Sequence, residues 1–163
     1  MVCVLQNALW NYIEPGALYS AFRIYYSWCM EIEKLAAGYF KKAHARRKAL
    51  DVLYAEKSYS DVVRESQELC ELVLKGVLRT IGIDPPKFHD VGKILKQNVG
   101  LLPGSMQCDI DKVVRYSFEL RKDRELSFYG ALDVDPWEDY TAADADRAIH
   151  IADEILAWIE LLR

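Results

Sequence analysis

The feature that most constrains the fold is one long apolar segment, residues 58–81, which ends in a strong stop signal. Its apolar side chains recur at steps of three and four residues, a spacing that places them on one face of an α-helix. The residues that carry this period are Val62, Leu69, Val73 and Val77. Gly82 stands where a helix C-cap is expected, and the two prolines at 85–86 prevent continuation. The segment predicts a long helix and a short loop.

Charged residues on this segment are ordered as well, at steps of four, three, four and four residues. They form a charged stripe made of Arg64, Glu68, Glu71, Lys75 and Arg79. Glu71 and Lys75 stand in the favourable order, which is worth about 0.3 kcal/mol on an exposed surface. Such a stripe is typical of a solvated face, and it can also be a polar seam facing a partner or ligand. Of the two readings, the sequence favours the solvated face.

The segment and the loop after it resemble the HEPN domain of the prokaryotic and archaeal type. The name abbreviates "higher eukaryotes and prokaryotes nucleotide-binding". The family pattern pairs Gln-Glu with a Lys two turns later and a His-Asp after the helix. The matching residues are Gln67, Glu68, Lys75, His89 and Asp90. The resemblance covers residues 30–163, and it implies nucleotide binding and a homodimer around a polar groove. It also implies a nucleotidyltransferase partner, as in toxin–antitoxin pairs.

Length and composition predict one well-packed domain, because 163 residues with 52% apolar side chains suit a single core. The net charge of −4 means that any nucleic-acid binding needs a local basic patch. The four cysteines are scattered without a Cys-x-x-Cys pair, and the three histidines are isolated. We therefore expect no metal, no cofactor, and reduced thiols in a cytoplasmic protein.

Residues 1–29 are apolar and aromatic, and Glu14-Pro15-Gly16 divides them into two pieces. Neither piece reaches the roughly 20 apolar residues of a spanning helix, so we expect no membrane association. The second piece predicts a short helix that docks on the domain. Alternatively, residues 1–29 lie upstream of a true start at Met30, and the HEPN domain is residues 30–163.

Residues 30–56 predict the first core helix, whose middle is the most basic run of the chain. The run comprises Lys41, Lys42, His44, Arg46, Arg47 and Lys48. Long basic side chains often cover apolar surface with the charged end in water. The run is also a place where phosphates could gather. The sequence leaves both readings open.

The rest of the chain predicts a short helix at 91–98 and a turn from Gly100 to Gly104. A helix follows from Asp109 to about Ser127, and a last helix starts at Thr141 or Asp144. The predicted fold is all-α: an antiparallel bundle of four main helices and one short helix, with an N-terminal helical extension. The long 58–81 helix has more apolar face than one layer of neighbours can cover, and the aromatic N-terminus adds more, which predicts a homodimer.

The helix after Asp109 has an inner face that begins with Ile110, Val114 and Ser117 and continues into Arg121 and Arg124. Unpaired buried charge is costly, so these arginines are either exposed or held by carboxylates or phosphates. Residues 124–130 resemble an Arg/Tyr stretch of HEPN proteins. His89 is either a loop residue or a site group. The hypothetical nucleotide- or phosphate-binding residues are Lys75, Arg79, His89, Arg121, Arg124 and Tyr129.

Many HEPN domains are ribonucleases, with an Arg followed after four to six residues by a His. That motif is missing, since Arg79 precedes His89 by ten residues and Arg147 precedes His150 by three. Arginine cannot move a proton near neutral pH, so we expect no catalytic residue. The predicted function is a non-catalytic protein that binds a nucleotide or RNA. The alternatives are a toxin-type ribonuclease and a structural partner subunit.

Overall fold

The computed structural model describes residues 15–87, 91–129 and 139–162, and side chains for residues 26–27, 30–87, 91–122 and 139–162. The described residues form six α-helices and no strand. The helices are α1 (Pro15–Ala55), α2 (Tyr59–Thr80), α3 (Val91–Gln97), α4 (Gly104–Gln107), α5 (Ile110–Tyr129) and α6 (Ala142–Ile159). Single turns of 3-10 helix occur at Val99–Leu101 and Glu160–Leu162. The predicted all-α bundle is confirmed.

Side-chain pairs fix the direction of α6 relative to α1. Arg47 on α1 donates from Nε and Nη2 to the carboxylate of Asp153 on α6, at 2.5 and 3.1 Å. Tyr54, later on α1, hydrogen-bonds Asp146, which is earlier on α6. The two helices are therefore antiparallel.

Further contacts and the turn between α1 and α2 determine the directions of α5 and α2. Lys112 near the start of α5 donates to Glu154 near the end of α6 at 2.9 Å. Arg147, early on α6, binds Glu119, which lies further along α5 than Lys112. Helix α2 turns back along α1 after the short turn at 56–58. Thus α1 and α5 run in one direction, and α2 and α6 run in the other.

Helix α2 is the centre of the bundle, because α1, α3, α5 and α6 all pack against it. Val62, Leu69, Val73, Leu74 and Val77 on α2 are completely buried. The apolar surface of α2 is thus covered within one chain. That coverage removes one of the two reasons for which the sequence predicted a homodimer, the aromatic N-terminus being the other, and the homodimer itself stays a prediction.

Gly76 allows α1 and α2 to approach closely. A Cβ atom at this position would lie 2.5 Å from Cε1 of Phe40 on α1, which is inside van der Waals contact. The absence of a side chain therefore lets the Phe40 ring cover the α2 backbone. Packing explains this glycine, since Gly in a helix interior otherwise costs about 1 kcal/mol relative to Ala.

Helix α1 differs from the prediction of a separate N-terminal helix before residue 30. It is one continuous helix of 41 residues, against 22 for α2. At 1.5 Å per residue these lengths are about 60 and 33 Å, so the first part of α1 extends past the end of α2. Ala36 is the first buried residue described on α1. The predicted boundary at Met30 thus falls inside a helix, and residues 1–14 lie outside the described residues.

The predicted helix ends are confirmed at two places. After α2, Gly82 has φ +81°, and its N–H donates to the Arg79 carbonyl at 2.9 Å, while the Ile83 N–H donates to Leu78 at 2.9 Å. This is a Schellman ending. Before α6, Thr141 is the N-cap and Asp144 completes a capping box, so both predicted start residues take part.

The connection from α3 to α5 is more structured than the predicted turn at Gly100–Gly104. It contains the 3-10 turn Val99–Leu101 and the short helix α4, with Pro103 as N-cap. The Trp158 indole N–H donates to the Met106 carbonyl at 3.1 Å, which ties α4 to the end of α6. A buried indole needs such a partner, and no local sequence pattern indicates which carbonyl supplies it.

Candidate functional site

The charged stripe on α2 is not the solvated face that the sequence favoured. Glu71 is 7% exposed and Gln67 is also buried, while Lys75 is largely covered. Lys75 Nζ donates to Glu71 Oε1 at 2.6 Å, and the Gln67 amide donates to Glu71 Oε2 at 3.2 Å. We call Gln67, Glu71 and Lys75 the buried polar cluster. Glu71 is the buried member of the stripe, because α2 has neighbours on nearly every side. The other four stripe residues are half-buried.

The cluster and its surroundings keep unused hydrogen-bonding capacity. Gln67 Oε1 and Ser66 Oγ are buried, and neither finds a partner within the described part of the chain. An unsatisfied buried polar atom costs about 1–3 kcal/mol. Such atoms are uncommon in native proteins and call for a reason beyond stability.

The contact between α2 and α5 is fixed by Cys70 and Ser117. The two side chains hydrogen-bond, and burial raises the pKa of the Cys70 thiol to about 12. Since α5 is antiparallel to α2, residues after Ser117 lie beside the earlier turns of α2. Arg121 therefore lies one turn from this contact, towards the start of α2.

The predicted cations consequently do not converge on one point. Counting 1.5 Å per residue from the Cys70–Ser117 contact, Arg121 is about 14 Å from the level of Lys75 along the helix axis. It is about 20 Å from the level of Arg79. The cations form a row along α2 and α5, a spacing that suits several phosphates of a chain better than one phosphate.

Each predicted cation with a described side chain already has a neighbour. Lys75 holds Glu71, and Arg79 pairs with the exposed Asp84, although Arg79 Nε stays buried without a partner among the described residues. Arg121 places its guanidinium carbon 5.6 Å from the ring centroid of Phe118.

The side chains of the other three predicted site residues lie outside the described ones. Arg124 and Tyr129 belong to α5, but their side chains lie outside the described ones. His89 lies outside the described residues altogether, as does the predicted N-cap Asp90. Their roles remain predictions.

In the basic run on α1, the two arginines have structural roles. Arg46 pairs with Glu65 on α2, and Arg47 binds Asp51 and Asp153. The hydrogen bonds that Arg47 donates to Asp153 and Asp51 raise its pKa above the ordinary value. Both arginines tie helices together, while the lysines and histidine of the run are exposed.

Sequence reasoning missed the outer face of α5. Phe118 is 59% exposed, and Arg115 and Lys122 on the same side of the helix are exposed too. One sequence pattern does indicate that Phe118 is exposed, because this residue is offset from the stripe formed by Ile110, Val114 and Ser117. An aromatic residue between cations and off the apolar stripe indicates a surface ring.

The described residues contain neither a cluster of metal-ligand side chains nor a membrane-spanning helix. There, no three His, Cys, Asp or Glu side chains come together as metal ligands would. None of the described helices combines the length and the apolar character required to cross a bilayer. What the described side chains offer is cations, amides and aromatic faces, which bind anions and bases.

Comparison with known proteins gives one finding. A family model described as "HEPN domain" matches residues 36–162. The match begins at Ala36, where the burial of α1 also begins, and it includes every predicted site residue. No match was found among the curated proteins or among the solved structures.

Proposed function

We propose, from the premise that the chain belongs to the HEPN domain family, that it binds RNA or a nucleotide without cleaving it. Family membership indicates a nucleotide- or RNA-related function. The binding surface we propose is the row of cations along α2 and α5, from Arg79 and Lys75 to Arg121, with His89, Arg124 and Tyr129 as further members. Arginine suits phosphate because its planar fork donates two parallel hydrogen bonds.

The observation that carries this proposal is the buried polar cluster. A buried Glu–Lys pair is weak evidence for stability, because removing both charges from water costs as much as their attraction returns. Gln67 adds an unpaired buried oxygen to that cost. A helix at the centre of the core that keeps these groups, rather than apolar ones, supports a role in binding.

The absence of catalysis is supported by the residue types at hand. Tyr129 stands five residues after Arg124, at the spacing where the ribonuclease motif has His. A phenol with an ordinary pKa near 10 does not exchange protons near neutral pH as an imidazole does. Of the described histidines, His44 is on α1 and His150 on α6, both are exposed, and neither belongs to the α2–α5 row.

We further propose that the protein works as a homodimer. HEPN domains often dimerise. The part of α1 beyond the bundle exposes Tyr26 (59%) and Met30 (51%), one helical turn apart, and a second chain could cover them. Sedimentation at micromolar concentration tests this, and a clean monomer contradicts it. A nucleotidyltransferase partner and a cytoplasmic location remain predictions.

The test of binding is a titration of the full chain with ATP and with a short labelled RNA. Arg121→Leu and Arg79→Leu should each weaken binding about tenfold, the worth of a charge-assisted contact, and leave the melting temperature within a few degrees. Lys34→Gln is the matched control, because it removes an exposed charge from α1 outside the basic run. If the wild type binds neither ligand, the structural-subunit alternative takes the place of this proposal.

The ribonuclease alternative has its own test. RNA recovered after prolonged incubation should be intact at every protein concentration. Expressed alone, the protein should not arrest growth. Cleavage products, or growth arrest that a neighbouring gene relieves, would favour the toxin-type ribonuclease.

A further inference from the structure

The outer face of α5 carries an exposed ring among cations. Phe118 is 59% exposed, and Arg115, Arg121 and Lys122 stand three residues before, three after and four after it. Side chains at these spacings are neighbours on one side of a helix. We call these four residues the α5 patch. A single exposed apolar side chain is common on protein surfaces, so the feature that points to a ligand is the position of the Phe118 ring among three cations.

Helix α3 adds a further cation at the edge of the patch. Gly92 lies against Ser117, where a Cβ would be 3.7 Å from the Ser117 Cβ, and Lys96 binds Asp111 at 2.7 Å. Helix α3 therefore runs antiparallel to α5. Lys93 is exposed, one turn before Lys96, which places it at the level of the α5 patch.

The nearby described carboxylates are already engaged. Glu119 accepts from Arg147 Nε and Nη2 at 2.8 and 3.0 Å, and this pair lowers the pKa of Glu119. Asp111 is held by Lys96. The patch thus presents positive charge on a chain whose net charge is −4. Charge complementarity points to an anionic occupant, and two copies of the patch facing each other would repel.

We propose that the α5 patch binds a segment of single-stranded RNA, with one base stacked on Phe118 and the adjoining phosphates on Arg115, Lys122 and Lys93. Unpaired bases stack on exposed aromatic rings, and every base has a face that can do so. Arg121 lies over Phe118 and also belongs to the α2–α5 row, so the two surfaces are continuous. The inference rests on the proposed function and specifies its ligand as an unpaired strand.

The experiment is fluorescence anisotropy of a labelled single-stranded RNA titrated with the full chain. Phe118→Ala should weaken binding about tenfold, whereas Phe118→Trp should keep it. Lys122→Gln should weaken binding. It should also reduce the slope of log Kd against log salt concentration by about one, which corresponds to one counterion fewer released on binding. Val52→Ala and Lys34→Gln, which change an exposed apolar residue and an exposed lysine on α1 outside the basic run, should change neither quantity.

Three results separate the possibilities. Equal binding by the wild type and Phe118→Ala overturns the patch and leaves the proposed function standing. Equal affinity for single-stranded RNA and for its duplex overturns the stacking, because a duplex hides its base faces. Absence of any RNA or nucleotide binding by the wild type removes both proposals together.

Discussion

Lys75 Nζ lies 2.6 Å from Glu71 Oε1, one helical turn away, with side-chain exposures of only 16% and 9%. The same pair on an exposed helix would contribute a few tenths of a kcal/mol. Here the loss of one partner should cost more free energy than on an exposed helix, because little water is available to solvate the charge that remains.

Lys75→Met should therefore cost about 3 kcal/mol of unfolding free energy, because it leaves the Glu71 carboxylate buried without its ammonium partner. Urea unfolding monitored by circular dichroism measures the loss. The matched control is Lys96→Met, which breaks the exposed pair with Asp111 and should cost less than about 1 kcal/mol. Equal losses in the two variants would contradict the burial of the cluster.

Ser66→Ala should raise the unfolding free energy by about 1 kcal/mol. Ser66 is completely buried, and its Oγ has no partner within the described residues, so the substitution removes a desolvation cost without removing a bond. Ser58→Ala is the contrast, because the Ser58 hydroxyl donates to Asp61 at 2.7 Å and its loss should destabilise. The melting temperatures of the two variants should move in opposite directions.

Gly76→Ala should destabilise the protein by about 1–3 kcal/mol, because the new methyl group collides with the Phe40 ring. Gly38→Ala on α1 has open space at the same point and should instead stabilise by up to about 1 kcal/mol. Thermal unfolding of the two variants compares the same chemical change in two surroundings. A stabilised Gly76→Ala would mean that α1 and α2 do not approach as described.

Thr141→Ala should cost about 1 kcal/mol at neutral pH through loss of the α6 cap. Hydrogen bonds from the Thr141 side chain and then its backbone N–H lower the pKa of Asp144. The stabilisation is therefore fully present above the ordinary pKa of a carboxyl group and is lost as the pH falls through the lowered value. The cost measured at about pH 3 should be smaller than at pH 7. Thr80→Ala, at a helix end without a capping box, should show no such dependence.

Cys108 should react with iodoacetamide in the folded protein, and Cys70 should react only after unfolding. Cys108 is exposed, whereas Cys70 is buried and its pKa is raised to about 12, so it has almost no reactive thiolate at neutral pH. Peptide mapping by mass spectrometry with and without urea gives the labelling at each site. Rapid native labelling of Cys70 would contradict the packing of α2 against α5.

The amino-acid sequence by itself determined that the fold is all-α, and it determined the ends of several helices. The period of Val62, Leu69 and Val73 defines a helix, Gly82 permits a positive φ that ends it, and Thr141 with Asp144 begins another. Each of these depends on residues within a few positions of one another, so local physics suffices. The resemblance to HEPN domains, which the family match confirms, likewise rests on residues close together in the chain.

The tertiary structure alone decided which faces are buried and which charges meet. Glu71 and Phe118 show the difference, since the sequence favoured solvent for the charged stripe and gave the phenyl ring no role. Helix α2 is surrounded by α1, α3, α5 and α6, so its carboxylate is buried, while the outer side of α5 has no described helix over it and its ring is exposed. Burial depends on neighbours dozens of residues away, and a local pattern does not contain that information.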